Sequence, residues 1–167
     1  MFTSRAEYRL MLREDNADLR LTEIGHELGL LSAHTVKVNR ERKARIQAEI
    51  QRIKQTVIKP LPEVNAYLEQ RGTPPSDNGI HLVQLLKRAE LDYDAVTRLS
   101  PAETPPTPRV ARQVEIEIKY EGYIQRQLQE IDKFRHLEQI KLPEAIDYTT
   151  VHGLSSELKE KLAAVHP

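Results

Sequence analysis

The chain has 167 residues, 39% of them apolar and 30% charged, with 25 Lys and Arg against 25 Asp and Glu. That length suits one domain of moderate core, or one domain plus a small appendage. No apolar run approaches a membrane span, the opening MFTSRAEYRL lacks the apolar core of a secretory signal, and the lack of cysteine excludes disulfides, thiolate nucleophiles and Cys-ligated zinc. The pattern suits a cytoplasmic protein with no membrane contact.

The zero net charge is unevenly divided. Residues 1–59 carry twelve cations and eight acids, and residues 60–167 carry thirteen and seventeen. A basic front and an acidic back suit different partners.

In chain order, residues 5–13 place Arg5, Arg9 and Arg13 four apart around Leu10, Met11 and Leu12. Four is close to one helical turn and is also an even number, so these arginines share a face of either a helix or a strand. After the polar EDNAD, Thr22 is expected to cap a short helix, TEIGHELG, that Gly29 ends. Ser32 is expected to cap a long helix over 33–58, with a seam of Ile46, Ile50, Ile53 and Val57. Lys37, Arg45, Arg52 and Lys59 fall roughly opposite that seam, and Pro60 stops the helix. Pro62 opens a helix through Arg71 that ends at Gly72. Short helices are expected around 80–89 and 92–99.

The second long helix is expected over 109–141, against a conflicting signal. Val114, Ile116, Ile118 and Tyr120 alternate with polar residues as a strand would, whereas Val110, Val114, Ile124, Leu128 and Ile131 form a helical seam. Helix is the expectation, with Gly122 its weak point and Pro143 its end. The tail reads as a turn at Gly153, a cap at Ser155 and a short helix carrying Leu158 and Leu162. It stops at His166-Pro167 where a partner helix is expected, so the tail reads as truncated.

The sequence offers little for catalysis. The six histidines show no metal-ligand spacing, no serine sits in a G-x-S-x-G elbow, and the six scattered glycines form neither G-x-G-x-x-G nor a P-loop. Two readings of the arginine stripe stand open: a salt-bridged element holding a neighbouring domain, or guanidinium forks matched to phosphate oxygens. The cations of 37–59, Arg45 and Arg52 among them, are either a solvated face or a surface tracking a nucleic-acid backbone. Tyr120 and Tyr123 are read as core packing ahead of base stacking. The residues alone describe a mostly helical binding module with no catalytic constellation.

Two blocks carry a resemblance. MFTSRAEYRLMLREDNADLRLTEIGHELGLL, and QVEIEIKYEGYIQRQLQEIDKF continuing through LPEAIDYTTVHGLSSELKEKL, closely resemble the glucose-inhibited division protein A family over about 1–31 and 112–162. The resemblance implies the C-terminal helical part of a wobble-uridine (carbon 5) tRNA modification enzyme. Its longer members carry an N-terminal flavin domain using FAD and NADH, catalytic cysteines and a methylene-folate donor. They work as homodimers with a partner GTPase. None of the cofactor or catalytic motifs has a counterpart here, so no catalytic, cofactor-binding or metal residue is assigned.

By that resemblance, the fold is mostly α, a bundle-like domain with two long helices plus a small truncated C-terminal subdomain. Residues 1–31 are the segment joined to the flavin domain, 32–142 the helical domain and 143–167 the start of the subdomain. Arg5, Arg9 and Arg13 match the family's RAEYRLxLR motif. Together with Arg45 and Arg52 they are the candidates for tRNA or interdomain contact. Glu115, Glu121 and Tyr123, in the acidic, apolar-rich 112–162 region, are the candidates for docking the GTPase.

Overall fold

The computed structural model describes residues 8–139, 141 and 146–165. Its elements run α1 (Ala17–Glu27), α2 (Ala33–Gln55), β1 (Val57–Ile58), α3 (Pro62–Gln70), β2 (Ile80–His81), α4 (Leu82–Leu86), α5 (Tyr93–Leu99), α6 (Pro108–Glu138) and α7 (Ser156–Val165). The chain is mostly α, as the sequence predicts. It forms two compact units, Met1–Gln127 and Leu128–Pro167. The division between the two units falls within α6.

The arginine-bearing opening is a turn where it is described. Met11 and Leu12 amides both donate to the Tyr8 carbonyl, at 2.8 and 3.0 Å, and Tyr8 adopts a left-handed φ of 56°. Neither helix nor strand forms over 8–12, and Arg5 lies outside the described residues. α1 then begins before the expected cap. Thr22 is buried inside it, and its hydroxyl turns back to the Asp18 carbonyl at 2.6 Å. Capping needs a side chain ahead of the first turn, and Asp18 and Leu19 already continue the helix N-terminal to Thr22. Gly29 ends α1 as expected, at φ 74°, a conformation that costs a residue with a Cβ about 1 kcal/mol or more.

The Ser32 cap forms as predicted, its Oγ accepting from the Thr35 amide at 3.2 Å. Ile46, Ile50 and Ile53 turn inward from α2. The helix stops at Gln55 rather than 58. Thr56 is extended, and Val57 and Ile58 pair antiparallel with His81 and Ile80. Val57 therefore leaves the expected seam and is exposed. β-branched residues suit such a strand, and the pairing partner lies too far along the chain for helical periodicity to reveal it. The same ladder shortens the expected 80–89 helix to α4, whose first amide, on Leu82, donates to the Thr56 carbonyl at 2.9 Å.

Pro62 occupies the first turn of α3, where its missing N–H costs nothing. Asp92 caps α5 through the Ala95 amide at 2.7 Å. The core of this first unit joins the α2 isoleucines to Ile58, Leu68, the three α4 leucines, Leu91, Tyr93, Ala95 and Val96, and to Val110, Val114 and Ile118 of α6.

The strand signal in 114–121 is overruled: the whole stretch is helix. Val114 and Ile118 share the buried face, Ile116 is half-buried and Tyr120 is exposed, so only one side of α6 is fully buried there. Among its described residues, the second unit buries only Tyr148. Asp147 organises its turn, accepting from the Thr149 amide at 2.9 Å and hydroxyl at 2.6 Å. Ser155 caps α7 through the Leu158 amide at 3.3 Å.

Candidate functional site

Charge placement starts on α2, whose cations divide by their neighbours. Arg40 makes a two-pronged bond to Glu23 of α1, both distances 2.7 Å. Arg42 pairs with Asp18, which also receives Arg109 Nη2 at 2.8 Å, so one carboxylate ties α1, α2 and α6 together. Lys54 donates to Glu121 at 2.7 Å, and Lys87 reaches the other oxygen of the same carboxylate at 2.7 Å. Lys37, Lys43, Arg45 and Lys59 are exposed, and among the described residues none has a carboxylate within ion-pair distance.

Arg52 is not on a solvated face. Its Nε and Nη2 hold the buried Glu49 at 2.9 and 2.7 Å, and Nη1 donates to the Ser100 carbonyl at 3.1 Å. Tyr93 Oη donates to Glu49 Oε1 at 2.6 Å. Burial, and then this bond to a carboxylate, push the phenol well above its ordinary range. The Glu49 hydrogen bond, opposed by burial, holds Arg52 more firmly protonated than usual. Beside this trio, α2 and the proline-rich 100–106 loop enclose an open cavity of about 700 Å³ with Arg45 at its edge. Sequence reasoning missed Glu49 and Asp18, because only tertiary packing distinguishes a buried acid from the many solvated ones.

Arg9 is exposed in the opening turn. Arg13 is largely buried, bonded to Asp15 at 3.0 Å, the Leu10 carbonyl at 2.5 Å and Glu117 at 3.4 Å. Burial raises the Asp15 pKa, but the Arg13 hydrogen bond and charge outweigh it and leave the carboxyl below its usual value. Glu115 accepts from the Tyr93 amide at 2.8 Å and pairs with Lys119 at 3.0 Å. Glu121 sits below the ordinary carboxylate range through its hydrogen bonds with Lys54 and Lys87. Tyr123 is 57% exposed and Tyr120 42%, which overturns the expectation of core packing. Their rings lie 6.3 Å apart and tilted by 53°, with Arg126 5.2 Å from the Tyr123 ring centre.

The residues present do not fit a flavin. Gly29 and Gly72 follow the ends of α1 and α3, Gly153 makes a turn, Gly25 and Gly122 lie within helices and Gly79 precedes β2, so among the described residues no glycine cradle for a diphosphate forms. Among the described residues no group of three His, Asp or Glu could hold a metal ion.

Two family models match the chain. One, described as the tRNA modifying enzyme MnmG/GidA C-terminal helical domain, covers residues 35–128, and the other, the C-terminal helical bundle of the same enzymes, covers 130–167. The tRNA uridine 5-carboxymethylaminomethyl modification enzyme MnmG of Caldicellulosiruptor saccharolyticus is 51% identical over 100% of this chain and 27% of the relative. That of Syntrophobacter fumaroxidans is 52% identical over 100% of this chain and 26% of its own length. Aquifex aeolicus GidA in its form II crystal superposes with a TM-score of 0.64 at 34% identity, over 98% of this chain and 25% of that one. The chain thus spans about a quarter of the length of the relatives it matches.

Proposed function

The chain belongs to the MnmG/GidA family of tRNA-modifying enzymes, as its C-terminal helical part, and from that premise we propose that it holds and orients tRNA while the chemistry at the wobble uridine proceeds elsewhere in the longer protein. The observation that carries this reading is the exposed set Lys37, Lys43, Arg45 and Lys59 on and just after α2, cations that the fold leaves without a carboxylate among the described residues. Contacts remote from the reacting base orient it and convert binding energy into rate. The FAD and NADH chemistry of the full-length protein falls outside this chain.

Titration of tRNA in a mobility-shift assay at two salt concentrations tests the proposal. Affinity is expected to fall steeply with salt, and Lys43→Gln and Arg45→Gln each to lower the slope by about one. Undetectable or salt-independent binding would overturn it. Arg13→Gln is expected to lower stability and leave the slope unchanged, since its donors already serve Asp15, Leu10 and Glu117.

Docking of the GTPase subunit is a second reading, favoured by the apolar side chains Phe134, Leu137, Leu158 and Val165 exposed in the second unit. Capture of the GTPase by this chain, lost in Leu158→Glu, is the expected result; undiminished capture would exclude that surface. Leu21 and Ile24 of α1 and Leu28 just after it are also exposed, and we infer that they face the flavin domain of the longer protein. Such proteins are expected to pair as homodimers in the cytoplasm. No helix among the described residues is long and apolar enough to cross a membrane.

A further inference from the structure

Tyr120, Tyr123 and Arg126 follow one another along the solvent side of α6 within the first unit and expose three flat side-chain groups. The two rings are tilted by 53° with centroids 6.3 Å apart, so they are not stacked face to face on one another. Arg126 lies over the Tyr123 ring at 5.2 Å, and a guanidinium plane is itself a surface on which a flat group can stack. Arg112 lies about three helical turns before Tyr123 and so projects from the same side. Arg112 and Arg126 are both exposed, and neither has a carboxylate within ion-pair distance among the described residues.

An occupant that satisfies all of these groups is planar and anionic. A nucleotide supplies a base for the ring and the guanidinium, and phosphates for the arginines. A duplex keeps its base faces stacked on one another, so the nucleotide must be unpaired. We propose that Tyr123, flanked by Tyr120 and Arg126, is a stacking platform for an unpaired nucleobase of RNA. This rests on the tRNA-binding reading and deepens it. It also moves Tyr123 away from the protein-docking role that sequence suggested, since Glu115 and Glu121, its expected companions, are engaged within the fold.

The test uses fluorescence anisotropy at low salt with two labelled probes, a single-stranded RNA of about ten nucleotides and a duplex of the same length. The single strand is expected to bind more tightly. Tyr123→Ala is expected to weaken it about tenfold and to change duplex binding little, and Tyr123→Phe to restore near wild-type affinity. Because the chain has no tryptophan, Tyr123→Trp provides a single reporter whose emission is expected to quench on stacking. Unchanged single-strand affinity in Tyr123→Ala, with RNA still bound, would sink the platform and leave the tRNA reading standing. If neither RNA bound, both readings would fall. Loss of GTPase capture in Tyr123→Ala, with single-strand affinity intact, would reassign Tyr123 to a protein contact.

Discussion

Glu49 illustrates how a single acid commits a fold. It accepts from Arg52 and from Tyr93 in a nearly water-free position, and deleting one partner of a buried pair leaves the other charge without compensation. Glu49→Ala is expected to cost about 3 kcal/mol, read as a shift of the urea midpoint at constant slope. Tyr93→Phe is expected to cost about 1 kcal/mol, since Arg52 continues to satisfy the carboxylate. Glu121 gives the pH dependence. Its folded pKa lies below the ordinary 4.5, through Lys54 and then Lys87. Its contribution is therefore complete above pH 4.5 and is lost as pH falls through the depressed folded value. Urea midpoints measured from pH 7 downward are expected to decline in that acid range, and less so in Glu121→Gln; an identical profile in the variant would remove Glu121 as a cause.

At the scale of elements, helix ends and interiors respond in opposite ways to the same change. Gly122 lies within α6 with open space around its missing Cβ, so Gly122→Ala is expected to raise stability by about 1 kcal/mol. Gly29, also in open space, holds φ 74°, so Gly29→Ala is expected to lower stability by about 1 kcal/mol through backbone strain alone. Ser32→Ala is expected to lower it by about 1 kcal/mol through loss of the cap. Thermal unfolding of the three variants checks the signs, and a stabilised Gly29→Ala would refute the conformational account. Helix caps and breakers were legible because they act over three or four residues. The β1–β2 ladder was not, because its two strands are joined by a long excursion through α3, and two residues are too few for an alternating pattern.

At the scale of the molecule, the two units differ in what they bury. The first collects apolar side chains from α2 through α6, whereas Tyr148 is the one buried residue among those described in the second. Local opening free energy follows buried apolar contact. Amides of α2 are expected to exchange with solvent near the global unfolding rate, and those of α7 orders of magnitude faster, in native-state hydrogen exchange. Equal protection of both would contradict this account.

Helical class, the Ser32, Ser155 and Gly29 boundaries and the family were all determined by the sequence itself, since propensity, capping and a long contiguous resemblance are local properties. Only the tertiary structure decided which charges remain to meet a partner. Arg13, Arg52, Glu115 and Glu121 look on paper like the solvated residues around them, yet each is held by groups from elsewhere in the fold, while Arg45 and Tyr123 are left to the solvent. Whether a charged or aromatic group is exposed depends on what packs beside it, and those neighbours are set by the fold.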